Sequence, residues 1–173
     1  MILRTPRLTL DEMSEADLPS LRRILQDLVT MTAYEGAFDE EETRAWLERM
    51  RARYASDGFG LWAARLEGEM VGQCGITRQK IEGDEVLEVG YLFRRDVWGR
   101  GLATEAAAAA RDWAFAELDA DRVWAKIRDT NLASMNVAIR LGMTARRRFV
   151  THYRGVDMPH LGFAVGREDL RRS

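Results

Sequence analysis

Short runs of apolar or alternating residues recur at Arg7–Leu10, Phe59–Leu66, Met70–Thr77, Val86–Phe93, Arg122–Ile127, Arg147–Tyr153 and Met158–Val165. Their length and bounding turn residues predict seven strands. Other stretches space their apolar residues by three and four. Leu18, Leu21, Ile24, Leu25 and Leu28 form one such stripe, behind a start signal in which Asp17 follows Ser14 by three residues. After a loop over 29–38, a second amphipathic helix is predicted from about Asp39, carrying Trp46, Leu47 and Met50. A third spans roughly Leu102–Leu118. The fourth, Asn131–Leu141, is closed by Gly142, a residue type favoured just past a helix end. Turns are expected at Glu67-Gly68-Glu69, Gly83-Asp84 and Arg154-Gly155.

The order is strand, two helices, three strands, helix, strand, helix, two strands. Three consecutive strands joined by tight turns are antiparallel, which argues against a doubly wound parallel sheet. Only the strand–helix–strand unit from Val86 to Ile127 needs a parallel crossover. The expected fold is α+β: one domain over 1–173, with about seven strands in a mixed, mostly antiparallel sheet flanked by about four helices. No repeat or linker marks a second domain. The run Ala106–Ala110 lies inside a helical pattern and signals close packing of that helix.

With 173 residues, 46% of them hydrophobic, the chain can bury a core of ordinary size. A net charge of −2 leaves no overall basic footprint for nucleic acid. No apolar run approaches the roughly 20 residues that cross a bilayer. The opening MILRTPRLTLDEM lacks the apolar centre of a signal peptide, so a cytoplasmic protein with no membrane partner is expected. Cys74 is the single cysteine, placed in a strand, and reads as a buried structural thiol. Only His152 and His160 could join it around a metal, too few soft ligands for a structural zinc site, and no metal is expected. The clusters Arg146-Arg147-Arg148 and Glu40-Glu41-Glu42 read as a solvated face or a helix start.

Candidate chemistry concentrates between Glu88 and Ala106, in the run Glu88-Val-Gly-Tyr-Leu-Phe-Arg-Arg-Asp-Val-Trp-Gly-Arg-Gly-Leu-Ala-Thr-Glu-Ala106. A strand enters a loop with two glycines, and the loop becomes a helix start. Such a place offers unpaired backbone N–H groups and the positive end of a helix dipole, to which phosphate or pyrophosphate binds. A P-loop would need Gly-Lys-Ser/Thr where Gly-Leu-Ala-Thr stands, and a dinucleotide fingerprint would need a third glycine where Thr104 stands. A plain glycine turn and the pyrophosphate loop of an acetyl-CoA-dependent transferase remain.

Trp98-Gly-Arg-Gly-Leu-Ala-Thr-Glu-Ala106 resembles the cofactor motif of the GNAT family of N-acetyltransferases. Thr5-Pro-Arg-Leu-Thr-Leu10, Glu88-Val-Gly-Tyr91 and the helix Asn131-Leu-Ala-Ser-Met-Asn-Val-Ala-Ile-Arg-Leu-Gly-Met143 are similar to its branch of ribosomal-protein-alanine N-terminal acetyltransferases. The resemblance covers almost the whole chain. It implies acetyl-CoA as cosubstrate, held by Tyr91, Leu92, Phe93, Trp98, Gly99, Arg100, Gly101, Leu102, Ala103, Thr104 and Asn131. It implies an amine acceptor, contacted by Thr32, Tyr34, Glu35 and Tyr153, with His152 nearby, and it is compatible with a homodimer. The acceptor is a protein N-terminus, a polyamine, an aminoglycoside or another small amine. Many relatives carry a tyrosine acid where this chain has Ala138, so that proton must come from elsewhere.

Two residues stand out without the resemblance. At about 100° per residue, Asn131, Ser134 and Ala138 lie between an apolar flank of Leu132, Met135 and Ile139 and another of Val137 and Leu141. Polar groups on a face expected to be buried need partners: Asn131 can cap its helix, and Ser134 can bond back to the backbone or face the chemistry. Glu88 shares a strand face with Val86, Gly90 and Leu92, at a sheet edge or toward a cleft. In the expected mechanism Glu88 is the general base and Ser134 assists the leaving thiolate. The rival readings are a non-catalytic acyl-CoA-binding sensor and a nucleotide-binding module.

Overall fold

The computed structural model describes residues 1–170; the last three residues of the expected domain lie outside them. Two short strands, β1 (Leu3–Arg4) and β2 (Leu8–Asp11), lead into helices α1 (Leu18–Leu25) and α2 (Glu40–Asp57). A meander follows: β3 (Leu61–Leu66), β4 (Glu69–Ile81) and β5 (Asp84–Phe93). Helix α3 (Leu102–Glu117) crosses to β6 (Arg122–Arg128), and α4 (Leu132–Arg140) leads to the closing hairpin β7 (Thr144–Tyr153) and β8 (Val156–Gly166), with α5 (Arg167–Leu170) behind it. The strands form one sheet in the order β1-β2-β3-β4-β5-β6-β8-β7. It is mixed, and β5 with β6 is its parallel pair.

Eight strands replace the expected seven because the chain folds back before Pro6, pairing Leu3 with Leu10. Three hairpins turn on Glu67-Gly68, Glu82-Gly83 and Arg154-Gly155, each with positive φ at both residues. That is the turn whose twist matches a hairpin, and its geometry moves the second turn one residue ahead of the expected Gly83-Asp84. Helix α1 is shorter than its stripe. Glu15–Asp17 form a 3₁₀ turn, and the chain leaves the helix before Leu28, which is 71% exposed. Asp27 explains the exit: its carboxylate accepts from Val29 N–H at 3.2 Å and from the Thr30 hydroxyl at 3.0 Å, a local alternative to helical bonding.

Helices cover both faces of the sheet. On β3, Trp62 and Ala64 pack toward α3, while Leu61 and Ala63 pack toward α1 and α2. Ala106, Ala107, Ala110 and Ala114 are fully buried, so the alanine run lets α3 lie close on the sheet. Trp113 meets Trp62 edge-on with ring centres 4.9 Å apart. Cys74 is buried, and burial pushes its thiol up, away from reactivity. Among the described residues no helix is long and apolar enough to cross a membrane.

Candidate active site

The central feature is a parting of strands. β5 and β6 pair at Glu88 and Trp124 and then diverge. Beyond Glu88 the β6-facing edge of β5 lacks that neighbour, so backbone polar groups there are open to a ligand. Two cavities meet at the gap.

The larger, about 1070 Å³, runs from the end of β5 over the glycine loop to α4. Tyr91, Leu92, Phe93, Trp98, Gly99, Arg100, Gly101, Leu102, Ala103, Thr104 and Asn131 all line it. Gly99 and Gly101 adopt φ of +75° and +76°, and Gly101 is the N-cap of α3 without a side-chain cap bond. The first N–H groups of α3 are therefore left for an anion. A Cβ at Gly99 would meet nothing within 4 Å, so this loop is open, as a pyrophosphate cradle requires. Trp98 fixes the approach, its Nε1 donating to the Phe93 carbonyl at 2.8 Å. The N-terminal segment fixes the far side. Arg7 and Thr5 bond the Glu105 carboxylate, and Arg7 also donates to the Arg100 carbonyl at 2.8 Å.

Sequence reasoning missed other lining residues: Val29, Thr30, Ala33, Val97, Asn136, Val137 and Arg140. It also misplaced one flank of α4. Leu132 and Ile139 are 69% and 60% exposed, because α4 lies over the gap and not over a full sheet. Ala138 does face inward and is buried. Asn131 caps the helix, its Oδ1 accepting from Ser134 N–H at 3.1 Å. Ser134 lines both cavities. Tyr91 rises from β5 to donate to the Ser134 carbonyl at 2.8 Å. Tyr91 packs against the apolar cluster to which Ala138 belongs.

The second cavity, about 440 Å³, lies on the α2 side of the sheet. Glu88, Tyr34, Tyr153 and Ser134 line it. Glu88 thus faces a cleft within the sheet and not an outer edge. Burial pushes its carboxyl above the usual range, against the opposing pull of the Lys126 charge, the Lys126 N–H at 3.3 Å and the Arg53 charge. Burial, with the Glu88 charge and the Tyr153 phenol nearby, raises Tyr34 to about 12. Glu35 pairs with Arg128 at the edge, whereas Thr32 lines the larger cleft and turns its hydroxyl onto the Leu28 and Val29 carbonyls. His152 lines neither cavity; it is exposed and bonded to Asp157 at 2.9 Å. His160 is the histidine that lines the cavity. Burial lowers it, and its Nδ1 must donate to the Met158 carbonyl at 2.8 Å, leaving Nε2 as an acceptor. Alternation along β8 puts His160 and Met158 on one face with Val156, a signal present in the sequence but weak by itself.

A family model described as an acetyltransferase (GNAT) domain matches residues 7–144. YkkB of Bacillus subtilis, described as uncharacterized, is 40% identical over 144 residues, covering 82% of this chain and 84% of that protein. The crystal structure of an acetyltransferase from Agrobacterium tumefaciens superposes with a TM-score of 0.80 at 30% identity, over 95% of this chain and 94% of that one. RimL, a ribosomal alpha-N-protein acetyltransferase solved in complex with coenzyme A, shares the fold with a TM-score of 0.78 at 19% identity, over 95% and 97%.

Proposed function

Since the chain belongs to the GNAT acetyltransferase family, which uses acetyl-CoA as cosubstrate, we propose that it acetylates a primary amine by direct attack in a ternary complex. The observation that carries this reading is the junction of the two cavities at Glu88 and Ser134. The glycine loop and the start of α3 would hold the pyrophosphate, and the open edge of β5 the pantetheine arm. The acyl group then reaches the gap beside Glu88.

An amine must be neutral to attack. Glu88, whose burial favours proton uptake, accepts a proton from the ammonium form directly or through one water. The amine nitrogen bonds the thioester carbonyl carbon, and backbone N–H groups beyond the parting of β5 stabilise the developing oxyanion. The carbon–sulfur bond breaks, the leaving sulfur takes a proton from the Ser134 or Tyr91 hydroxyl, and the proton that the attacking nitrogen then sheds returns to that hydroxyl, directly or through water. The amide and free coenzyme A leave. His160 Nε2 offers a second acceptor on the acceptor side.

The motifs shared with the ribosomal-protein branch favour a peptide N-terminus, and the small volume of the cavity, about 440 Å³, favours a small amine. An acceptor screen with acetyl-CoA that reads released thiol over both sets tests the activity. Binding of acetyl-CoA at 100-fold excess over Kd should stabilise the protein by about 2.7 kcal/mol. A protein that binds acetyl-CoA and releases no thiol with any amine is the sensor of the rival reading.

A further inference from the structure

The acceptor cavity has an unusual charge pattern for a site that must take an ammonium ion. Glu88 is its single carboxylate, while Arg49, Arg53, Lys126 and Arg128 also line it. Arg128 is paired with Glu35, yet its Nε is buried without a partner. Among the described residues Arg49, Arg53 and Lys126 have no ion-pair partner. That is local and not a habit of the helix, since Arg44 and Arg51 on α2 pair with Glu40 and Glu15. The unpaired arginines are where the cavity puts them: Trp46, Arg49, Met50 and Arg53 recur by three and four, one face of α2, and all line it. Trp46 is fixed by its Nε1 bond to Gln73 Oε1 at 2.9 Å, and the Arg49 guanidinium lies 5.3 Å above its ring.

From this pattern we infer that the acceptor is a compact primary amine that also carries an anionic group, a carboxylate or phosphate, gripped by Arg49 and Arg53 while Glu88 takes the amine. The inference rests on the amine-acetylating reading above and names its substrate class. The cavity offers a carboxylate from β5 and guanidinium groups from α2. A zwitterionic amine satisfies both. A polyamine or aminoglycoside would bring further positive charge against cations that already lack partners. The walls argue for compactness. The Glu35–Arg128 and Glu42–Arg154 ion pairs tie the α1–α2 segment to the strands opposite, and the Arg154 guanidinium sits 5.4 Å over the Phe38 ring and 5.6 Å over that of Tyr153.

The test uses amines of matched chain length ending in a carboxylate, a phosphonate, a neutral amide or a second ammonium, plus a heptapeptide with a free N-terminus. Binding to the protein saturated with coenzyme A is measured by calorimetry, and acetyl transfer by thiol release. The carboxylate or phosphonate amine should bind at least 10-fold tighter than the amide and diamine, and the better of the two identifies the anion. Arg53→Gln and Arg49→Gln should each remove most of that preference while leaving acetyl-CoA affinity unchanged. Arg51→Gln, the same charge loss on the far side of α2, should leave it intact. Equal binding of all four amines, tighter binding of the diamine, or a preference untouched by both substitutions overturns the inference even if amines are acetylated. A heptapeptide preferred 10-fold over every small amine overturns it in favour of a protein N-terminus. If the acidic amine binds as expected and none is acetylated, the charge reading stands and the catalytic reading falls.

Discussion

Arg7 Nε lies 2.6 Å from Glu105 Oε2, joining the residue ahead of the first long strand to the first turn of α3. The Arg7 backbone N–H adds a bond at 2.9 Å and the Thr5 hydroxyl one at 2.6 Å, both to Glu105 Oε1. One carboxylate thereby draws the N-terminal segment onto the helix whose start is the proposed pyrophosphate cradle. The spacing of Thr5-Pro-Arg7 is explained by this clamp and by no chemistry of its own.

Glu105→Ala should therefore cost about 1–3 kcal/mol of stability, a shift of several degrees in Tm, and weaken acetyl-CoA binding severalfold through the loosened Arg100 carbonyl. Burial raises the Glu105 carboxyl, but the bonds from Thr5 and Arg7 outweigh it and hold it below the usual value. A carboxyl depressed in the folded state stabilises fully above its unfolded pKa of about 4.3 and loses that contribution as pH falls through the folded value. The Tm difference between wild type and variant should be full at neutral pH and shrink only in acid. A difference that persists undiminished at low pH would assign the loss to packing.

Gly101→Val should abolish coenzyme A binding. A β-branched side chain is strained at φ of +76°, and its bulk would crowd the N–H groups of the helix start. Because a Cβ at Gly101 comes only within 3.6 Å of Arg7 Nη2, folding should survive. Calorimetry with coenzyme A, beside circular dichroism for the fold, decides it; wild-type affinity would take the loop out of the site.

Glu88→Gln should lower kcat/KM by roughly 10²–10⁴-fold. The raised carboxyl predicts that the acid limb of the wild-type profile lies above the ordinary carboxylate range, since the base works only when deprotonated. The limb should vanish in the variant, and the loss should shrink with rising pH as neutral amine becomes available. An unchanged limb would transfer the base role to His160, whose Nδ1 bond leaves Nε2 as an acceptor in the cavity lining.

Much of this was legible in the residues. The meander, the one parallel crossover and the glycine loop follow from runs, turn pairs and a single motif, because each is encoded in one continuous stretch of chain. Most residues lining the larger cavity come from that same stretch of chain. The acceptor cavity was not legible. It is assembled from α2, β5, β6 and β8, and nothing local tells that Arg49 and Arg53 line one cavity with Glu88. Ser14 and Asp17 show a subtler limit. Their capping bond is present, at 2.9 Å, yet it opens a 3₁₀ turn, because Asp17 is also bound by Arg65 of β3.

The source of the proton for the leaving sulfur is decided by comparing two substitutions. The family resemblance implies a tyrosine acid where Ala138 stands, and among the hydroxyls lining the cavities those of Ser134 and of Tyr91, which donates to the Ser134 carbonyl, are the two to compare. Ser134→Ala removes one oxygen from a helix and should change stability by less than about 1 kcal/mol. If Ser134 donates, kcat falls by one or more orders of magnitude with acetyl-CoA affinity nearly kept, because the bond forms mainly in the transition state. Tyr91→Phe removes an anchor between β5 and α4, so it should lower Tm by the worth of one hydrogen bond whatever its chemical role. A thioester with a more acidic leaving thiol separates the two effects. It needs less help from an acid, so it should restore rate to whichever variant has lost the donor and leave a merely loosened site slow. Rescue of Tyr91→Phe alone, with full activity in Ser134→Ala, would make the phenol on β5 the acid in place of the missing tyrosine on α4.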